Sequence, residues 1–505
     1  MKFNNFKYIP AALMMVLTWA SCSPKKTETR PNILILMSDN QSWNHAGVYG
    51  DKVVRTPNTD KIASEGVRFT NVFCNSPSCT PARGSILTGK DIWSLEEGAN
   101  LWGTLPTTLT IYTDLMEQAG YKVGFNGKGW GPGSYEANGR PHNPAGNYFK
   151  TFKDFLKDRK GEEPWTFWIS SYEPGRPYDP NNIQATGSGK AAGIDPDKVT
   201  VPKYLPDSKE VRGDIADYYA QVEKFDRIIG ETMAQLKASG QLENTVVVVC
   251  ADNGWQMPRG LANLYDFGTH VPLIISWPGK FKSNAVAENL VTLNDLAPTF
   301  LELANIKLPS DMTAKSLLPF VDEQTKPAKE RDYVVYGRER HAFVRQHGTS
   351  YPGRAIRTKE FLYIRNYEPN RWPAGDPPLY GDVDPYMMHY PGPAKFYLMA
   401  NKDNPKVKPL FDLAFAKRPA DELFDVNKDP DELVNLAYKP EYAQIKQKLA
   451  EKLDAYLKAT KDPRAVGGKI IWDNTPYFSE IDKTPRPSKE AQKQFKLDSV
   501  YNYLK

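Results

Sequence analysis

Two short apolar runs, far apart in the chain, each lead into the same pair of polar residues. Residues 31–37 lead to an Asp-Asn pair at 39–40, and residues 245–250 lead to a second pair at 252–253. Runs that are apolar at almost every position fit strands covered on both faces, as in parallel sheets. In open α/β sheets, ligands bind beyond the carboxyl ends of such strands. The sequence therefore predicts an α/β fold with a large, mostly parallel sheet flanked by helices, and a site at one edge of that sheet.

Four oxygen donors would meet at this edge: Asp39, Asn40, Asp252 and Asn253. Carboxylate and amide oxygens suit Ca²⁺ or Mg²⁺, since neither ion favours sulfur. An isolated Asp-Asn pair is more often a turn or a helix cap, so the prediction of a metal site depends on both pairs together. Because Asp252 lies beyond its strand, we expect Asp252→Ala to abolish activity with little loss of folding.

The segment at 74–89 places a nucleophile where it would face an anion. It follows a strand-like run at 67–73, and Pro81 suits the first turn of a helix, where a missing N–H costs nothing. Cys79 would then lie at a helix N-terminus, a position that favours anions, with Arg83 about one turn further on. A reduced cysteine in a helix cap is the simpler alternative.

The motif Cys79-x-Pro-x-Arg83, extended by Leu-Thr-Gly at 87–89, resembles the signature of the type I sulfatases of the alkaline-phosphatase-like superfamily. In that family the cysteine is oxidised after translation to formylglycine. The resemblance implies that the two Asp-Asn pairs bind the metal, Ca²⁺ with Mg²⁺ as the alternative. It also implies a partner that modifies the cysteine, either a formylglycine-generating enzyme or an anaerobic sulfatase-maturating enzyme.

The resemblance further implies a mechanism. One hydroxyl of the hydrated formylglycine at position 79 attacks sulfur, the sugar alcohol departs, and the other hydroxyl expels sulfate to regenerate the aldehyde. The cation neutralises the sulfate and acidifies the attacking hydroxyl. Arg83 braces the diol, and Lys128, which matches the lysine of the family's Gly-Lys-x-His loop, stabilises charge on the sulfate oxygens.

Four positions depart from the family pattern. Asn40 replaces an aspartate that is common there, which lowers the charge of the metal site. Trp130 and Gly175 stand in place of histidines, so a stacking surface replaces one imidazole. The segment at 257–272 is similar to a branch of the family that includes heparan N-sulfatase, and in that branch the position of Leu261 is normally Lys or Arg. The nucleophile and the metal positions remain, so we favour an active enzyme over a pseudoenzyme.

The two missing imidazoles leave the sugar alcohol without a proton donor. Such assistance is typically worth about 10²–10⁴-fold. His341, in a base-rich stretch, is predicted to be raised to the active edge by the second domain and to act as the leaving-group acid. The alternative is a substrate contact or a surface residue.

The chain becomes rich in arginine and aromatic residues after about position 326. Alternation at 355–365 predicts half-buried antiparallel strands, and hence a smaller C-terminal α+β subdomain and tail at 326–505 after a catalytic domain at 31–325. Arginines beside rings suit an anionic sugar polymer, although a solvated sheet face is the better interpretation for most of them. The predicted substrate contacts are Trp130, Arg176, His270, Arg338, Arg340, Arg371 and Trp372.

The chain begins with a segment that resembles a lipoprotein signal. Lys2 and Lys7 precede an apolar run at 9–20 that is short for a bilayer span, and small residues lead to Cys22. We expect cleavage before a lipidated Cys22, a tether at 23–30, and an exported protein in the periplasm or at the outer-membrane surface, touching the membrane through its lipid only. An ordinary secretory signal is the alternative.

The net charge of +5 over 505 residues gives no indication of nucleic acid binding. Cys74 and Cys250 are predicted to be buried free cysteines. Amphipathic helices are predicted at 107–119, 210–239 and 442–457.

These features together predict a sulfatase that hydrolyses sulfate esters on a sulfated polysaccharide or its oligosaccharides, with N-sulfate as an alternative bond. A phosphonate or phosphate ester hydrolase, or a non-catalytic glycan-binding lipoprotein, are the rival interpretations.

Overall fold

A computed structural model describes residues 1–2, 30–178, 193–326, 329–383, 392–480 and 483–504. The predicted signal segment, with Cys22, lies outside the described residues. The strands are β1 (Asn32–Ser38), β2 (Val67–Phe73), β3 (Lys122–Gly127), β4 (Asn147–Tyr148), β5 (Trp165–Ser170), β6 (Thr245–Ala251), β7 (Leu273–Ser276), β8 (Ala285–Thr292), β9 (Val334–Arg338), β10 (Gly353–Arg357), β11 (Phe361–Asn366) and β12 (Asp421–Asp425). The α-helices are α1 (Pro57–Ser64), α2 (Cys79–Thr88), α3 (Tyr112–Gln118), α4 (Phe152–Asp158), α5 (Lys209–Ala238), α6 (Asp266–Thr269), α7 (Leu296–Leu303), α8 (Leu318–Val321), α9 (Pro393–Ala400), α10 (Lys408–Phe415), α11 (Ala443–Ala459), α12 (Pro463–Val466) and α13 (Lys489–Phe495).

The larger sheet has eight strands in the order β4-β3-β5-β1-β6-β7-β2-β8. Strand β7 runs antiparallel to both of its neighbours, and the other pairs are parallel. In the central pair, Met37 of β1 lies opposite Cys250 of β6, and Ser38 lies opposite Ala251. The two Asp-Asn pairs therefore leave the sheet side by side, and the predicted mostly parallel α/β fold is confirmed.

Both faces of the central strands are covered, which explains why their sequences are apolar at almost every position. Ile33 and Ile35 of β1 belong to one buried cluster, which includes residues of α2, α3 and α7. Leu34 and Leu36 belong to another, which includes residues of α4 and α5. A strand packed in this way needs no polar face.

The smaller sheet is antiparallel, in the order β12-β11-β10-β9. Helix α11 packs against β10 and β11. The antiparallel strands predicted at 355–365 form as the hairpin of β10 and β11, but β10 is buried at every position instead of half-buried. A domain boundary near residue 326 stays a prediction.

The helices predicted at 210–239 and 442–457 form as α5 and α11. The helix predicted at 107–119 is shorter, since α3 begins only at Tyr112. Four of the five residues at 107–111 are β-branched, which lowers their helix propensity. Cys74 and Cys250 are buried free thiols, as predicted. None of the described helices is both long enough and apolar enough to cross a membrane.

Candidate active site

Cys79 is the first residue of α2, and its thiol lies beside the ends of the central strands. Its Sγ is 3.5 Å from Asp39 Oδ1 and 3.8 Å from Asn40 Oδ1. Burial, together with the Asp39 carboxylate, raises the pKa of the thiol well above its usual range, against the opposing charges of Lys128 and Arg83. A protonated thiol is a poor nucleophile, so the position suits a cysteine whose side chain is modified to a different nucleophile.

Arg83 is fully buried one turn along α2 and holds the site together. Its Nε donates to Asp252 Oδ2 at 2.9 Å, and its Nη2 lies 3.3 Å from Asp39 Oδ1. Its Nη1 donates to the carbonyl of Gly129 at 2.7 Å and to the hydroxyl of Ser170. The guanidinium therefore links the carboxylates after β1 and β6 to the loop after β3.

Lys128 directly follows β3, and its Nζ donates to Asp39 Oδ1 at 2.5 Å. Its backbone N–H donates to the carbonyl of Ser170 at 2.8 Å, so the pairing of β3 with β5 directs this residue to the active edge. Although burial alone lowers the pKa of Lys128, the Asp39 carboxylate raises it overall. The ammonium stays charged and faces the space beside Cys79.

The four predicted metal-binding residues meet at one point. The backbone N–H of Asn40 donates to Asp252 Oδ1 at 3.0 Å, and Asn253 Nδ2 donates to Asn40 Oδ1 at 2.6 Å. Ligand atoms of Asp39, Cys79 and Asp252 lie within 4.8 Å of one another. Asn253 Oδ1 is buried and accepts no hydrogen bond from the described residues. Two carboxylates and an amide oxygen without a donor fit a hard divalent cation.

The ionisation of the two carboxyl groups, Asp39 and Asp252, also bears on metal binding. Burial raises the pKa of both carboxyls, but at Asp252 the charges of Arg83 and Lys128 outweigh burial and lower the pKa. At Asp39 the pKa stays raised, since Asp252 adds to the effect of burial. A bound divalent cation would favour the ionised form of both groups.

Gly175 and Leu261, two of the positions that depart from the family pattern, lie next to the site. A Cβ at Gly175 would come within 2.7 Å of Asp39 Oδ2, so no side chain fits while Asp39 keeps this position. Leu261 lines the same cavity as Cys79. The cavity thus has an apolar side chain where basic residues are usual in the family.

The cavity beside Cys79 has a volume of about 90 Å³ and is lined by residues at 39–261 and at 341–477. Among the predicted site residues, Asp39, Asn40, Lys128, Arg176 and His341 also line it. Gln256 follows the second Asp-Asn pair closely, so its place could have been inferred from the sequence. The lining residues that sequence reasoning missed are Leu101, Trp102, Pro132, Gln256, Ala342 and Tyr477.

His341 reaches the cavity from the loop after β9. Its Nδ1 lies 2.8 Å from the hydroxyl of Ser78, the residue that precedes the nucleophile. Burial lowers the pKa of His341 to about 4, although Asp382 acts in the opposite direction. The imidazole is therefore neutral at pH 7 before substrate binds. The loop after β9 brings His341 into the same cavity as Cys79, and its role as an acid stays a prediction.

The structure corrects the predicted substrate contacts at Trp130 and His270. The described residues that line the cavity do not include Trp130, whose ring is buried in the core. His270 stacks on Trp43 and Phe73, and its Nε2 lies 2.8 Å from the carbonyl oxygen of Thr70. Both rings stabilise packing and present no face to a substrate.

The arginines of β9 and its following loop are also corrected. Arg338 is buried and donates to Asp382 at 2.7 Å. Arg340 is buried and donates to the carbonyls of Thr475 and Pro476, each at 3.0 Å. These residues form internal contacts, and for them neither a substrate surface nor a solvated sheet face is correct.

Of the remaining predicted contacts, only Arg176 lines the cavity, and its guanidinium forms a bidentate pair with Asp214 at 2.7 and 2.9 Å. Arg371 pairs with Asp473 at 3.1 Å. Trp372 is half-buried, with the ammonium of Lys417 over its ring. Substrate binding by Arg371 and Trp372 stays a prediction, although the cavity does not include them among its described lining residues.

A family model described as Sulfatase matches residues 31–306, more than half of the chain and the whole of the larger sheet. The chain belongs to the sulfatase family. A second model, described as N-sulphoglucosamine sulphohydrolase, C-terminal, matches residues 259–377. The protein is thus a sulfuric ester hydrolase of a family whose chemistry implies formylglycine and a divalent metal.

Relatives of this sulfatase match most of its length. It is 26% identical to the human (Homo sapiens) N-sulphoglucosamine sulphohydrolase over 512 residues, covering 90% of this chain and 94% of the relative. It is 28% identical to an ulvan-active sulfatase of Formosa agariphila over 454 residues, covering 86% and 81%. A solved structure in complex with its substrate D-glucosamine-2-N,6-O-disulfate is 21% identical, with a TM-score of 0.59 and coverage of 86% and 98%. This last likeness concerns the fold.

Proposed function

We propose that this sulfatase removes sulfate from a sulfated glycan, with a formylglycine made from Cys79. The observation that carries the proposal is that Cys79, Asp39 and Lys128 line one cavity, while Arg83 links the buried carboxylates of Asp39 and Asp252 beside it. Formylglycine supplies a hydrated aldehyde with one hydroxyl for attack on sulfur and another for expelling sulfate. A thiol with a raised pKa could not serve as well.

The residues of the chain then divide the work. Lys128 carries a fixed positive charge for the sulfate oxygens, and a donor that is already in place costs no reorganisation during the reaction. Arg83 orients Asp39 and Asp252, which with Asn40 and Asn253 would hold the cation. That cation would neutralise the sulfate and act as a Lewis acid.

The substrate class is supported by the names of the relatives, which act on sulfated amino sugars and on ulvan. Incubation with defined glycosaminoglycans, ulvan and carrageenans, followed by ion chromatography of sulfate, tests it. Glucosamine carrying only N-sulfate or only 6-O-sulfate separates the two bonds. Faster turnover of aryl phosphate than of aryl sulfate would favour the phosphate ester hydrolase. Binding of glycans without sulfate release would favour the glycan-binding protein.

The proposal includes export and maturation. The sequence of the first 22 residues supports a lipid anchor at Cys22, which would hold the enzyme in the periplasm or at the outer-membrane surface, where it would meet polysaccharides. Conversion of Cys79 requires a formylglycine-generating or anaerobic sulfatase-maturating enzyme.

We expect removal of the metal to inactivate the matured enzyme. The cation offsets the repulsion between Asp39 and Asp252, so dialysis against EDTA should lower activity at least about 10²-fold and lower the melting temperature. Calcium should restore both, and calorimetry should show one Ca²⁺ bound per chain.

Recovery with Mg²⁺ and not with Ca²⁺ would make the choice of calcium wrong. Normal turnover by protein shown to be metal-free would contradict the proposal that Asp39, Asn40, Asp252 and Asn253 bind a cation that the reaction needs.

We expect His341→Ala to lower turnover of the natural glycan about 10²–10⁴-fold and to leave an aryl sulfate with an acidic phenol almost unaffected. The reason is that a sugar alcohol needs a proton, whereas such a phenol leaves without one. A bound sulfate adds negative charge beside the imidazole, which would raise its pKa from about 4. His142→Ala, which changes a half-buried histidine outside the cavity lining, is the control. Equal losses on both substrates, or none on either, would refute the acid role.

A further inference from the structure

Two aromatic side chains line the cavity that contains Cys79. The ring centroids of Trp102 and Tyr477 are 6.4 Å apart, with their planes inclined at 54°. The cavity has a volume of about 90 Å³ and opens to solvent. Trp102 is half-buried and accessible, whereas Tyr477 is buried.

Hydrogen bonds tie the two rings into one wall. The backbone N–H of Phe478 donates to the carbonyl of Trp102 at 3.0 Å. The amide of Asn100 donates to the carbonyl of Trp472 at 2.9 Å and to Thr475 Oγ1 at 2.6 Å. The segment at 472–478, more than 360 residues along the chain, is thus fixed against residues 100–102.

Arg340, in the loop after β9, holds the same wall in place. Its backbone N–H donates to Asn100 Oδ1 at 2.9 Å, and its guanidinium donates to the carbonyls of Thr475 and Pro476. The guanidinium carbon lies 5.3 Å from the ring centroid of Tyr477. Arg340 is therefore a positioning residue for Tyr477.

The backbone of Trp102 is held in an unfavourable conformation. Its φ is 55°, a region that bulky L residues rarely adopt. Such strain persists only where the surroundings determine the conformation, and it clusters at ligand-binding positions. The segment at 472–478 lies beyond both family models, which end at residues 306 and 377. Residues 472–478, which neither family model matches, therefore complete the wall.

We infer that Trp102, backed by the buried ring of Tyr477, forms an aromatic wall that binds the pyranose ring bearing the sulfate and so selects the substrate of this enzyme. The inference rests on the proposed function. Aromatic faces offer large apolar contact to the C–H face of a sugar, with a polar edge for its hydroxyls. Charge near Cys79 would take the sulfate, and the wall would take the sugar.

Binding by a variant that cannot turn over tests the wall separately from catalysis. The parent is Cys79→Ala, and the probes are inorganic sulfate and the glycan that the active enzyme desulfates fastest. By calorimetry, Trp102→Ala and Tyr477→Ala in this parent should each weaken glycan binding about 10-fold and leave the affinity for inorganic sulfate unchanged. Tyr477→Phe, which keeps the ring, should retain most of the binding. Trp277→Ala, which removes a half-buried ring at the end of β7, is the matched control.

Equal glycan affinity in Trp102→Ala, Tyr477→Ala and the parent would overturn the inference while leaving the proposed function in place. So would a parallel loss of glycan and inorganic sulfate binding, since that would indicate collapse of the site. Absence of any glycan binding by the Cys79→Ala parent would overturn the proposed function, and the inference with it.

Discussion

The Cys79→Ala variant should release no measurable sulfate from any substrate of the parent enzyme, a loss of about 10⁶-fold, as expected for removal of a nucleophile. The side chain that becomes formylglycine is gone, and neither Lys128 nor the metal site can replace it. The fold should persist, because the change removes one sulfur atom whose contacts are weak. Ion chromatography of sulfate and a thermal melt measure the two effects.

Cys250→Ala is the matched control for this prediction. Cys250 is also a fully buried free thiol near the site, on β6, but it lies within the core. The control should lose stability and retain turnover. Substantial sulfate release by Cys79→Ala would rule out a formylglycine mechanism at this position.

Asp252→Asn should lower kcat at least about 10³-fold, since a metal that acts on the reacting group supplies several kcal/mol. The asparagine keeps an oxygen for Arg83 but removes the charge that the cation needs. Calcium affinity, measured by calorimetry, should fall with the activity. Turnover and calcium affinity equal to those of the parent would show that Asp252 does not bind the metal.

The test uses Asn instead of Ala, because the burial of Asp252 argues against the expectation that Asp252→Ala would cause little loss of folding. Asp252 is fully buried and lies 2.8 Å from the guanidinium of Arg83, which is also fully buried. Ala would remove both the charge and the oxygen that accepts from Arg83, and removal of one partner of such a pair typically costs about 3–5 kcal/mol; Asn keeps the acceptor. Asp226→Asn is the control: Asp226 is a buried carboxylate that caps α1 away from the cavity. It should lose stability without losing turnover.

The sequence predicted the parts of the site that depend on local pattern. An apolar run followed by Asp and Asn predicts a buried parallel strand with two polar residues just beyond its carboxyl end. The register of β1 with β6 then brings the two Asp-Asn pairs together. The helix N-terminus at Cys79 follows from Pro81 in the same local way. Trp130, in contrast, occupies a loop position that pattern alone cannot orient.

The sequence could not predict contacts between distant segments. The buried arginines of the second domain find carboxylates far along the chain, as Arg354 does with Asp462 at 2.7 Å. In the sequence, these arginines indicated an exposed basic surface, because a sequence pattern does not show which distant carboxylate pairs with a given arginine. Tyr477 lies in a segment that read as a polar tail, and only the folded chain shows that it lines the active site.

The central claim is that residue 79 is a formylglycine in the working enzyme. Mass spectrometry of the tryptic peptide that contains this residue, from protein co-expressed with a maturating enzyme, tests it most directly. We expect the mass of the aldehyde in place of the thiol, in a fraction of molecules that rises in parallel with specific sulfatase activity. Full activity in protein whose residue 79 is entirely unmodified cysteine would contradict the account.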